Sequence, residues 1–102
     1  MDRERWRYVA LGDSYTIGTS VDAGERWPNQ LVAWLDAHAR AGSPAAPALE
    51  LVTNLGVNGF TTRDVIGVEL PRLAALRPAF VSLLVGVNDV IQGLPESAYR
   101  GN

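Results

Sequence analysis

Residues 79–85, Ala-Phe-Val-Ser-Leu-Leu-Val, are apolar enough to form a strand covered on both faces, and strands of that kind belong to parallel sheets. A parallel sheet needs crossover connections, and the chain supplies them. Two other strand-like runs precede this one: residues 7–11 (Arg-Tyr-Val-Ala-Leu) and residues 49–54 (Leu-Glu-Leu-Val-Thr-Asn). Between the first two, Trp27, Leu31, Trp34, Leu35 and His38 recur at helical spacing, with Pro28 in the first turn, which predicts an amphipathic helix over 27–40. Gly42-Ser43-Pro44 is expected to end it, and a small-residue loop to follow. Between the second and third strands, Thr61-Thr62-Arg63-Asp64 has the pattern of a capped helix start, with Ile66, Leu70 and Leu73 expected on one face. Pro71 should split or restart that helix, and Pro78 should close it. The order β-α-β-α-β predicts an α/β fold with a doubly wound parallel sheet.

With 102 residues the chain is at most one domain, and it can bury only about two-thirds of its unfolded surface. Its 47% hydrophobic and 20% charged residues are ordinary for a folded protein. A net charge of -2 provides no basic field, so nucleic acid is not an expected partner. All nine positive residues are arginines and cysteine is absent, which excludes lysine Schiff bases, thiolate nucleophiles and thiolate metal sites. No stretch approaches the ~20 apolar residues of a membrane span, and Met1 to Arg7 alternate in charge without a signal-like segment. A cytoplasmic location is the expectation.

Parallel strands point their carboxyl ends to one edge, where ligands collect in open α/β sheets. The turns after the three strands carry Gly12-Asp13-Ser14, Gly56-Val57-Asn58-Gly59 and Gly86-Val87-Asn88-Asp89. Ser14 offers a hydroxyl nucleophile and its own N–H, Gly59 a backbone N–H unobstructed by a side chain, and Asn88 a carboxamide. Acyl transfer to a serine needs such donors fixed about 2.7 to 3.1 Å from the developing oxyanion. Each residue also has an ordinary role open to it: Asp13 and Ser14 as turn or N-cap residues, Gly59 as a turn glycine, Asn88 as a cap or Asx-turn.

These three blocks, with Asn54 to Thr62 as the second, resemble in order and spacing the first three blocks of the SGNH (GDSL-type) esterase/lipase family. Trp27-Pro28 ahead of the first long helix is similar as well, and the resemblance covers essentially the whole chain. It implies Ser14 as nucleophile, oxyanion donors from Gly59 and Asn88, a flavodoxin-like three-layer α/β/α fold, a small-molecule ester substrate, and no metal or organic cofactor. The chain departs from the family in one respect. The Asp-x-x-His that gives the family its base and orienting acid is missing after Asn88.

His38, the only histidine, does not replace that base, because about 1.5 Å of rise per residue along its helix carries it roughly 16 Å from Trp27. Asp13 and Asp89 lie nearer, but an ordinary carboxylate is a weak base for a hydroxyl. Asp89 is expected only to brace its loop. Residues 1–102 are therefore expected to be the N-terminal part of a single domain, cut after the third strand and inactive alone. The competing expectations are a flavodoxin-like module that binds a small molecule without turning it over, or a degenerate partner of an active hydrolase. Neither GxGxxG nor GxxxxGK[ST] occurs, which weighs against a phosphate-binding version of the former.

Overall fold

A computed structural model describes residues 5–40 and 48–102, so the expected helix stop at Gly42-Ser43-Pro44 lies outside the described residues. Three strands, β1 (Arg5–Gly12), β2 (Ala48–Asn54) and β3 (Phe80–Leu84), form one open parallel sheet in the order β2-β1-β3. β1 is central. It pairs with β2 from Arg5 opposite Ala48 to Ala10 opposite Asn54, with a register shift between Tyr8 and Val9, and with β3 from Tyr8 opposite Phe80 to Gly12 opposite Leu84.

Alternation along β1 divides the core in two. Tyr8 and Ala10 face one side with Leu49, and α2 (Trp27–Arg40) packs there through Leu31, Val32 and Leu35. Val9 and Leu11 face the other side with Leu55, under Leu73 and Leu76. The result is helix, sheet and helix in three layers. Tyr8, Val9 and Ala10 are fully buried, and removing about 25 cal/mol per Å² of apolar surface from water makes this strand the centre of stability. Trp34 departs from the expected apolar stripe of α2. It is exposed, and its ring stacks on His38 with centroids 3.6 Å apart.

The second crossover, residues 62–76, is helical throughout but changes pitch. It runs through α3 (Thr62–Asp64), a π-turn (Val65–Glu69), a 3₁₀ turn (Leu70–Arg72) and α4 (Leu73–Leu76). Thr61 and Asp64 form the expected capping box: the Thr61 N–H donates to the Asp64 carboxylate at 3.0 Å. Pro71 sits in the 3₁₀ turn, where its missing N–H is tolerated. The buried face is the neighbouring one. Val65 and Glu69 turn inward on the stripe that continues to Leu73 and Leu76, while Ile66 and Leu70, expected on the packed face, are exposed. Arg77, in the left-handed region at φ 51°, ends the run before Pro78, and the Arg7 guanidinium donates to the free Leu76 carbonyl through Nε at 3.1 Å and Nη2 at 2.8 Å.

β3 departs from the expectation of a strand covered on both faces. Phe80, Val81, Leu83 and Leu84 are all exposed, because among the described residues β3 packs on β1 alone, whereas β2, the other edge strand, has α2 against its face. Two short helices follow, α5 (Val87–Ile91) and α6 (Glu96–Gly101). No helix of the described residues is long and apolar enough to cross a membrane.

Candidate active site

Ser14 is the first residue of α1 (Ser14–Ile17), entered directly from the buried end of β1. Asp13 is its N-cap. The Asp13 carboxylate accepts from the Tyr15 N–H at 3.0 Å, and Gly18 closes the helix in the left-handed region at φ 77°. The turn allows no side chain at Gly12: a Cβ there would come within 3.0 Å of the Leu84 carbonyl oxygen and of Thr16 Oγ1. That requirement for glycine ahead of Asp13-Ser14 follows from close approach of β3 to the end of β1.

Gly59 lies in the exposed turn after β2, at φ 81°, a conformation that favours glycine. Asn88 lies in α5, half-buried, and its Nδ2 donates to the Phe60 carbonyl at 2.9 Å. An amide nitrogen carries two hydrogens, so one remains for a ligand.

Hydrogen bonds between neighbouring turns hold the strand tips together. The Val57 N–H donates to the Gly12 carbonyl at 3.3 Å, and Asn54 Nδ2 to the Thr16 carbonyl at 2.7 Å while its Oδ1 accepts from the Gly56 N–H at 2.9 Å. Thr19 Oγ1 and Asn58 Oδ1 also pair. The Ser14 turn is thus joined to the turn that carries Gly59. That turn is joined in its turn to α5, through Asn88 on Phe60 and through Gln92 Nε2 donating to the Gly59 carbonyl at 2.9 Å. Asp89, 2% exposed, accepts from the Thr62 N–H at 2.9 Å and from Thr62 Oγ1 at 2.6 Å, which braces its loop against the start of α3. The phenol of Tyr8 and Ser82 Oγ, 2.6 Å apart, tie β1 to β3 below the site, and burial raises the Tyr8 pKa against the opposing effect of that bond.

Two groups join the site to which the sequence reading gives no role there. Asn54 reads as the end of a strand and the start of the second block, with no role of its own. Glu69 is 1% exposed, and its Oε1 accepts from the Gly12 N–H at 2.8 Å, two residues before Ser14. Burial raises its pKa, the Gly12 N–H lowers it, and the neighbouring negative charge of Asp13 raises it further. An acid on the stripe with Val65, Leu73 and Leu76 was the available clue. His38 is exposed on the far part of α2 with Nδ1 3.0 Å from the Trp34 carbonyl oxygen, so its ring is engaged on its own helix. Among the described residues no cluster of three or more histidine and acidic side chains could hold a metal ion.

The fold is shared with solved esterases. The structure is similar to AlinE4, described as an SGNH-hydrolase family esterase, with a TM-score of 0.69, 26% identity, and coverage of 99% of this chain and 50% of that one. It is also similar to LAE5, described as an alpha/beta hydrolase from the metagenome of Lake Arreo, Spain, with a TM-score of 0.57, 28% identity, and coverage of 91% and 44%. The psychrotrophic esterase EstA from Pseudoalteromonas sp. shares the fold with a TM-score of 0.71 at 21% identity, over 93% of this chain and 48% of that one. The chain spans about half the length of these proteins. No curated protein matches it. The family model described as the GDSL-like Lipase/Acylhydrolase family matches residues 10–102, nearly the whole chain and all three strand-tip blocks, and the chain therefore belongs to that family.

Proposed function

We propose that residues 1–102 are the N-terminal portion of a serine ester hydrolase, with Ser14 as its nucleophile and the N–H groups of Ser14 and Gly59 and the Asn88 carboxamide as its oxyanion donors. The observation that carries this reading is the cross-linking of three consecutive strand-tip turns, in which Val57 bonds to Gly12 and Asn88 to Phe60. Donors held in advance need no reorganisation when charge develops, and each typically contributes about 100- to 1,000-fold in rate. Ser14 Oγ attacks the ester carbonyl carbon, the carbonyl oxygen takes the negative charge, and the bond to the alcohol breaks to leave an acyl-Ser14 ester. The serine proton passes to a general base and from it to the leaving alcohol; water then releases the acid by the reverse route.

His38 is turned toward Trp34 on α2, so the base of this scheme comes from sequence outside residues 1–102. The exposed apolar β3 and the doubled length of the structural relatives support the same division of the domain. The test compares the 102-residue chain with the protein encoded by the full reading frame, using p-nitrophenyl acetate and a fluorophosphonate probe. The full protein is expected to label at Ser14 and to lose labelling and turnover in Ser14→Ala, while the 102-residue chain gives no Ser14-dependent burst. Turnover that survives Ser14→Ala in the full protein refutes the nucleophile, and a Ser14-dependent burst from residues 1–102 refutes the division.

A further inference from the structure

The acyl-transfer scheme leaves one buried acid without a task. Glu69 occupies the last position of the π-turn Val65–Glu69, faces the core and is 1% exposed. One carboxyl oxygen accepts from the Gly12 N–H at 2.8 Å; the other, Oε2, is buried without a partner among the described residues, as is Thr16 Oγ1 in the nucleophile's own helix. An acid in this place is costly, because desolvation of a carboxyl with an unsatisfied oxygen outweighs what one hydrogen bond returns. A leucine would extend the apolar stripe of Val65 and Leu73 at lower cost. Stability alone therefore does not explain Glu69.

Position does explain it. Gly12 is held from both sides, its N–H by Glu69 and its carbonyl by the Val57 N–H at 3.3 Å, and it tolerates no Cβ. The same helical run starts at Thr62, whose N–H and hydroxyl are fixed by Asp89, the neighbour of Asn88. One strut thus touches the residue after Asn88 at its first turn and the residue two before Ser14 at its second. Glu69 ends a π-turn, and π-turns recur at functional sites.

We infer that Glu69 is a positioning residue for the nucleophile: through Gly12 it sets where the Ser14 turn sits relative to the loop carrying Asn88. The inference rests on Ser14 being the nucleophile. A misplacement of about 1 Å in such a turn costs on the order of 100-fold in rate.

The test uses the full-length protein and Glu69→Gln, Glu69→Asp and Glu69→Leu, with fluorophosphonate labelling rates at Ser14 and kcat and KM on p-nitrophenyl acetate. Glutamine keeps an acceptor oxygen at the same reach and should stay within about threefold of wild type. Aspartate is one methylene short and leucine has no acceptor, so both should lose roughly 10- to 100-fold in labelling and kcat with KM changed less than about threefold. Should leucine fail to fold, the aspartate and glutamine variants decide. Folded aspartate and glutamine variants that both label within about twofold of wild type overturn the inference, as does a glutamine variant as slow as aspartate. Absence of labelling in wild type instead sinks the hydrolase reading and this inference with it, so the two failures are told apart.

Discussion

Replacing Asp89 by alanine should weaken the protein far more than its position in a five-residue helix suggests. The carboxylate is 2% exposed and accepts two bonds from one residue, at 2.9 Å from the Thr62 N–H and 2.6 Å from Thr62 Oγ1. Hydrogen bonds to a charged group contribute about 1.5–3 kcal/mol each. The Thr62 hydroxyl already accepts from Asn102 Nδ2 at 3.0 Å, a donor that cannot take its proton, but it is half-buried and can turn that proton to water; the Thr62 amide at the start of α3 has no substitute among the described residues. The net cost is therefore about 3 kcal/mol, nearer one strong bond plus an orphaned donor than two full bonds. In a domain of 150–250 residues, about 2–4 °C is lost per kcal/mol, so Asp89→Ala in the full-length protein should lower Tm by roughly 6–12 °C. Asp89→Asn keeps an acceptor for the amide and presents an N–H₂ to a hydroxyl that can accept, so its loss should be about 1 kcal/mol. Thermal unfolding followed by circular dichroism, with urea midpoints alongside, measures both. An alanine variant within about 2 °C of wild type, or an asparagine variant as unstable as alanine, would refute the reasoning.

Gly12→Ala places a methyl group within 3.0 Å of the Leu84 carbonyl, which is backbone and cannot swing aside. Overpacking of this kind costs about 1–3 kcal/mol, and the urea midpoint should fall while Ser14 labelling slows; an unchanged midpoint and rate would contradict the close approach. Glu69 makes stability depend on pH. Burial raises its folded pKa above that of the unfolded chain, so its contribution is fully present below roughly pH 4.3 and is lost as pH rises through the folded value. Glu69→Gln does not titrate. The stability of wild type relative to this variant should therefore decline from about pH 4 upward and then level off, and a difference that is flat between about pH 4 and 8 in urea titrations would count against an upward shift caused by burial.

The alternation of strands and helices was legible because both signals are local. The apolar runs at 7–11, 49–54 and 79–85 each became a parallel strand, and the 3.6-residue recurrence from Trp27 became α2. That Ser14, Gly59 and Asn88 come directly after the three strands followed from the same order; Ser14 and Asn88 lie in short helices there, and Gly59 on a turn. What escaped the sequence depends on geometry between distant segments. Two helical stripes share Leu73, and apolarity favours Ile66 and Leu70 over the one that carries Val65 and the acid Glu69, which is the one the core takes. β3 reads as fully covered because composition reports what a strand suits, while its exposure depends on which elements pack on its faces. The bonds from Asn88 to Phe60 and from Asn54 to Thr16 join residues 28 and 38 apart, beyond any periodic pattern.

The placement of β1 between its two partners also governs how the chain reaches this state. Tyr8 is made early, yet the hydroxyl it meets on Ser82 lies 74 residues later. At roughly 5–20 residues per second on the ribosome, the most deeply buried strand of the chain waits several seconds for its second neighbour. Long-range parallel pairing is slow to nucleate, so during that interval β1 is the segment a chaperone would shield.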